Sequence, residues 1–121
     1  MAQFNGTVTD YNSAVDFLGG RQAKKLANNT YVHNWGDEVA VTLHGNTIVR
    51  YFASGGSVMS NCGYPTATSR QRLSELNPYW HYVQRNHKQY LQHKETHELV
   101  PFNGAVVLDI FGNVLENNPV T

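Results

Sequence analysis

From Thr30 onward, side chains alternate in period two, and the alternation is interrupted at Gly36-Asp37 and again at Gly45-Asn46. Period-two alternation gives a strand two distinct faces, and a glycine dipeptide supplies the positive φ that a two-residue hairpin turn requires. The pattern therefore predicts an antiparallel meander. Counting outward from a Gly45-Asn46 turn pairs Leu43 with Ile48, Val41 with Arg50 and Val39 with Phe52, which sets Arg50 among five apolar residues on one face. Extending the register through Gly36-Asp37 gathers Tyr31, His33 and Trp35 on the opposite face with Ala40, Thr42 and Tyr51. A fourth strand near Val58 is expected after a Gly55-Gly56 turn.

Two helices are expected on this sheet. Tyr11 to Leu18 follows Asp10, a good N-cap, carries Ala14, Phe17 and Leu18 at helical spacing, and runs into Gly19-Gly20. The second is predicted to start at Thr68, with Gln71 completing a capping box, and to stop at Asn77-Pro78. Its apolar stripe is Leu73 and Leu76, with Arg72 on the border and Arg70 farther round. Beyond Pro78, Trp80 to Arg85 and Gln89 to Gln92 read as a hairpin around Asn86-His87-Lys88, with a helix as the competing reading. Asn103-Gly104 and Gly112-Asn113 introduce two further short strands, Ala105 to Leu108 and one at Val114-Leu115. The fold class expected is α+β: an antiparallel meander with one or two short helices, in a single domain over 1–121, because 121 residues leave room for one core.

Charge narrows the function classes. Lys and Arg number nine, Asp and Glu nine, so the formal net charge is zero. Duplex nucleic acid is an unsuitable partner for such a chain, since phosphate neutralisation by a basic excess supplies most non-specific affinity. No apolar run approaches the roughly 20 residues that cross a bilayer, so no membrane partner is expected. One cysteine, Cys62, cannot form an internal disulfide, and the first residues lack a signal-peptide pattern, so the expected location is the cytoplasm.

Catalytic and metal-binding motifs are weak. His93 and His97 stand four apart, as two ligands on a helix would, but Glu95 is not where a zinc protease needs it, and no metal is expected. Cys62 is read as inert, and no P-loop, dinucleotide fingerprint or nucleophile elbow occurs, so neither catalytic residues nor a cofactor are expected. The arginines carry more information. Guanidinium groups near apolar stripes either snorkel to water or converge on a carboxylate or phosphate. Thr66, Thr68 and Ser69 add hydroxyls beside a helix N-terminus, which favours an anion, and Tyr64 or Phe17 is suited to stack on a base.

The stretch Lys25-Leu26-Ala27-Asn28-Asn29-Thr30-Tyr31, followed by Val39-Ala40-Val41-Thr42-Leu43-His44-Gly45-Asn46-Thr47-Ile48-Val49-Arg50-Tyr51, resembles a widespread family of small bacteriophage proteins. The likeness runs from Arg21 to Leu76. Where that family usually reads Ser-Gly-Gly-Trp-Arg-Thr before the helix, this chain has Asn61-Cys62-Gly63-Tyr64-Pro65-Thr66, exchanging one aromatic for another and losing an arginine. The pattern also resembles the Thoeris anti-defence sponge proteins of phages, through Arg21 after the first helix, Arg50 ending the Thr-Ile-Val-Arg strand, and Arg70 and Arg72 in the second helix. That resemblance implies sequestration, without cleavage, of a cyclic nucleotide immune signal of the cyclic ADP-ribose type in the host cytoplasm. It further implies a homo-oligomer with pockets at subunit boundaries, where arginines clamp a pyrophosphate and aromatics hold the adenine. The expected ligand set is Phe17, Arg21, Arg50, Tyr64, Thr66, Thr68, Arg70, Arg72 and Asn86. The alternatives are a structural or host-interaction module docking through Tyr31, Trp35 and Tyr51, and a nucleotide hydrolase using His33, His44 or His81.

Overall fold

A computed structural model of the chain describes residues 8–117. Helix α1 (Tyr11–Leu18) forms with the expected bounds because both ends are capped locally. The Asp10 carboxylate accepts from Ser13 N at 2.8 Å, Ser13 Oγ accepts from Asp10 N at 3.0 Å, and Gly19 closes the helix in the left-handed region at φ 58°. Ala14 and Leu18 enter the core.

Among the described residues the fold is α+β, with two short helices and ten strands in two antiparallel sheets. The larger sheet has the spatial order β1 (Ala23–Ala27), β2 (Thr30–Asn34), β3 (Glu38–Leu43), β4 (Asn46–Phe52), β5 (Ser57–Ser60), β9 (Ala105–Leu108) and β10 (Val114–Asn117). The first five are a meander. Between β5 and β9 the chain leaves to build α2 (Ala67–Glu75) and a small sheet of β6 (Trp80–Arg85), β7 (Lys88–His93) and β8 (Leu99–Pro101). The Asn86-His87 turn between β6 and β7 has φ of 51° and 65°, the two positive values of a tight hairpin, so the hairpin reading of this segment is correct.

The sheet register departs from expectation at one place. The turn after β3 is His44-Gly45, with φ of 52° and 82°, so Leu43 pairs with Asn46 and Thr42 with Thr47. Starting the turn one residue early moves every partner by two and leaves the faces unchanged. A bulge then inserts Ile48, and beyond it Val41 pairs with Val49, Ala40 with Arg50 and Val39 with Tyr51. That one extra residue turns Arg50 and Tyr51 over. Arg50 thus leaves the apolar face assigned to it, and Tyr51 leaves the aromatic face. The rest of that face stands as expected, with Tyr31 opposite Thr42 and His33 opposite Ala40.

The inner face carries Val32, Val39, Val41, Val49, Tyr51, Met59, Val106 and Leu108, each at most 2% exposed. One continuous apolar cluster joins them to α1, α2 and the small sheet through Leu18, Leu73, Tyr82, Leu91 and Phe102. Polar anchors fix the layers. The buried Tyr51 hydroxyl donates to Leu76 O, Arg72 Nε donates to Thr30 Oγ1 at 3.0 Å, and Trp80 Nε1 donates to Gly112 O at 2.8 Å. Gly112 is required there: its φ is 82°, and a Cβ would fall on the Tyr79 ring. The opposite face of the larger sheet carries the row Ala23, His33, Ala40, Arg50, Val58, Val107 and Glu116, one residue from each strand.

Candidate functional site

Helix α2 begins two residues before the expected start. Thr66, not Thr68, is the N-cap: its hydroxyl accepts from Ser69 N at 3.1 Å and lies 3.2 Å from Ser69 Oγ. The turn ahead of it forces this choice, because Tyr64 N donates to Asn61 O and Thr66 N to Tyr64 O, holding Thr66 extended at the helix mouth. Asn61 anchors the turn from inside. It is 6% exposed, its side-chain oxygen accepts from Gly63 N at 2.9 Å, and its Nδ2 donates to the Tyr82 hydroxyl at 3.1 Å. That Tyr82 hydroxyl is held above its ordinary pKa chiefly by burial, with the Asn61 bond and Arg70 opposing, so it stays protonated.

This arrangement opens a cleft of about 480 Å³ between the turn, the first turn of α2 and the β3–β4 hairpin. Tyr64, Thr66, Thr68 and Ser69 line one side, and Leu43, His44 and Ile48 face them. Tyr64 is 57% exposed, and Ile48, the bulged residue, is buried behind the opening. Cys62 sits in the wall with its thiol directed to Thr47 O at 3.0 Å, in the left-handed region at φ 53°. First-turn N–H groups ahead of Ser69 have no intrahelical acceptor, and a polarised helix N-terminus favours an anion. Arg70 NH1 donates to Pro65 O at 3.0 Å and to Gln84 Oε1 at 3.2 Å, which sets a guanidinium beside the same turn.

Three of the nine expected ligand residues therefore meet here, Tyr64, Thr66 and Thr68, while Arg70 stands beside the turn with its guanidinium bonded to Pro65 O and Gln84 Oε1 and does not line the cleft. The other five do not join them. Arg50 is held by Glu38, Nε to Oε1 at 2.6 Å and NH2 to Oε2 at 3.1 Å, over the Phe52 ring. The hydrogen bond and charge lower the Glu38 pKa against a smaller desolvation effect, and raise that of Arg50. Arg72 is 6% exposed and committed to Thr30 inside the protein. Phe17 is half-buried under Lys24, whose ammonium lies 4.4 Å from the ring centroid. Arg21 is exposed just past α1, and Asn86 occupies the β6–β7 turn. Within one chain the arginines do not form a clamp.

His93 Nδ1 accepts from Glu95 N at 3.2 Å and Thr96 N at 3.3 Å, and its ring packs edge-on against Trp80. No group of three metal-ligating side chains occurs among the described residues. Nor is any described helix long and apolar enough to cross a membrane. Sequence reasoning missed Asn61, His44 and Ile48 as cleft residues. Asn61 before Cys62-Gly63 carried a turn signal, but the role of Ile48 depends on a bulge that no local pattern marks.

Comparison with known proteins places residues 9–109 on the model of a protein family described as Kyanoviridae Gp96 protein. No curated protein and no solved structure matches the chain.

Proposed function

The chain belongs to the Kyanoviridae Gp96 family and is a bacteriophage protein, and from that premise we propose that it binds a small anionic ligand of nucleotide type in the Tyr64 cleft. The reading extends to anti-defence: the ligand is a cyclic nucleotide immune signal of the cyclic ADP-ribose kind, held in the host cytoplasm and not cleaved. One observation carries it. An exposed aromatic, three hydroxyl side chains and a helix N-terminus surround one opening of about 480 Å³, and the Arg70 guanidinium is bonded to Pro65 O in the adjoining turn. An aromatic face stacks on a base, and hydroxyls with backbone N–H groups take phosphate oxygens. Arg21 and Arg50 lie away from this cleft, so any part they play requires a neighbouring copy in a homo-oligomer.

Calorimetry against cyclic ADP-ribose isomers and cyclic di- and trinucleotides tests the reading. The expected result is saturable binding that Tyr64→Ala and Arg70→Ala each weaken, with the ligand recovered intact after heat release. Absence of binding to every one of these compounds refutes it, and recovery of cleaved ligand refutes sequestration in favour of hydrolysis. A second reading rests on two exposed aromatics at the edge of the larger sheet's outer face, Tyr31, 42% exposed, and Trp35, at the turn beyond β2, 52% exposed. A host-interaction module would lose its partner on Tyr31→Ser with Trp35→Ser and be indifferent to Tyr64→Ala.

A further inference from the structure

The β6–β7 hairpin ends in a charge arrangement that its own neighbours do not relieve. Arg85 and Lys88 are register partners in the last pair before the Asn86-His87 turn. Directly opposed side chains share a face with their Cβ atoms about 5 Å apart, where like charges are destabilising. Both residues are exposed, as is His87 between them. Arg85 NH1 donates to the adjacent Gln84 O at 3.1 Å, and among the described residues neither cation pairs with a carboxylate.

The rest of this face extends the pattern. Tyr82 and Leu91 enter the core, so alternation turns Val83, Arg85, Lys88 and Tyr90 to the opposite side of the small sheet. Val83, Tyr90 and Pro101 form the next row, the first two half-buried and Pro101 exposed. The row beyond it runs from His81 to Leu99, which is 47% exposed. Successive rows on one face stand roughly 7 Å apart, so an aromatic with two apolar neighbours lies one step from two cations. Among the described residues, no acidic side chain occupies these three rows. Glu95 and Glu98 fall in the β7–β8 turn, at the far end of the hairpin. Charge along the chain divides in the same sense. Between Ala67 and His93 there are four cations and one carboxylate, a net of +3, which leaves the remainder of this neutral chain at −3.

We propose that this face of the small sheet binds single-stranded nucleic acid, with phosphates at Arg85 and Lys88 and a base on Tyr90. The two rows answer two features of one ligand. Phosphate oxygens relieve the opposed cations, and an aromatic with apolar neighbours takes the flat face of a base that a duplex keeps stacked inside. A run of Asp or Glu would meet the cations but offers nothing flat to Tyr90. This proposal goes beyond the Tyr64 cleft, and either can fail without the other.

Fluorescence anisotropy of labelled decathymidylate and decauridylate with the full chain at low salt tests it, with an abasic decamer and poly-L-glutamate as comparisons. The expected result is saturable binding of at least one decamer at tens of micromolar protein, the tighter of the two identifying the sugar. That binding should be about fivefold or more tighter than the abasic strand's, the contribution of one stacked base. The logarithm of affinity should fall against that of salt with a slope of about −1.4, for two phosphates neutralised. Arg85→Ala with Lys88→Ala, both at exposed positions, should weaken binding about tenfold or more and flatten the slope. In a ¹H–¹⁵N titration the largest shifts should fall on the Val83, Arg85, Lys88 and Tyr90 amides. No saturable binding of either decamer overturns the proposal. So does abasic strand or polyglutamate binding as tightly, binding indifferent to the double variant, or largest shifts at Tyr64 and Thr68.

Discussion

Replacing Arg72 by Ala separates a structural arginine from a ligand-binding one. In the structure Arg72 is 6% exposed and its Nε donates to the hydroxyl of Thr30, itself fully buried, across the layer between α2 and β2. A hydrogen bond from a charged donor contributes about 1.5–3 kcal/mol, and the apolar stem adds packing that Ala forfeits. Part of the gain is returned because Ala also removes the cost of burying a charge. The net loss expected is about 2–3 kcal/mol, or a fall of roughly 8–12 °C in melting temperature for a chain of this length. Arg72→Lys keeps the charge but loses the Nε geometry, so it should recover less than half of the loss. Thr30→Val removes the acceptor and leaves the guanidinium short of a partner; a double-mutant cycle with Arg72→Ala should give a coupling of about 1 kcal/mol or more. Urea unfolding followed by circular dichroism measures the parent chain and the four variants. An unchanged midpoint for Arg72→Ala, joined to weakened nucleotide binding, would refute the structural role and return Arg72 to the ligand set.

Thr66→Ala removes the N-cap of α2 and should cost about 1 kcal/mol by urea unfolding, while Thr66→Ser retains nearly all of it. Arg50→Ala and Glu38→Gln break a pair that is 43% and 21% exposed, so each should cost under about 1 kcal/mol at low salt and less at high salt. Because Arg50 lowers the Glu38 pKa, this contribution is complete above the ordinary carboxylate range and fades as pH falls through the lowered folded value. His81 gives a second acid-side slope. Burial, Lys94 and His97 lower its pKa, so the unfolded chain protonates first and stability declines as pH drops below about 6.5. His81→Gln should flatten that slope in a pH series of urea midpoints, and an unaltered slope would show that His81 does not cause it.

Elements whose ends carry their own chemistry were legible in the sequence. Helix α1 was readable to the residue because Asp10 and Gly19 cap it without help from elsewhere. The β2–β3 pairing was readable because Gly36-Asp37 sets a two-residue turn and both strands alternate cleanly. Strand β1 was not, since Ala23-Lys24-Lys25-Leu26-Ala27 has no clear period, and its extended state rests on pairing with β2 across a turn where Asn29 holds φ 55°. The start of α2 was read at Thr68 from its capping box with Gln71, two residues late. Contacts made by Asn61, a residue well ahead of the helix, selected Thr66.

The same division explains the site. Tyr64, Thr66 and Thr68 are neighbours in sequence on one turn and helix start, so their convergence follows from local structure alone, and Arg70, one helical turn later, is held beside them by Pro65 O and Gln84. Arg50 and Arg72 were joined to them by residue type, which holds only if nothing nearer satisfies a guanidinium. The Ile48 bulge put Arg50 on the Glu38 side of the sheet, and the packing of α2 put Arg72 against Thr30. Both arginines met partners within the chain first. A guanidinium is a strong enough donor that its nearest acceptor usually decides its role, and that acceptor is fixed by register and packing, the two properties a single sequence specifies least directly. A clamp of arginines around one phosphate is therefore the part of a binding site most exposed to error from sequence. A turn with its own helix cap is the part least exposed, and the Tyr64 cleft is built from such a turn.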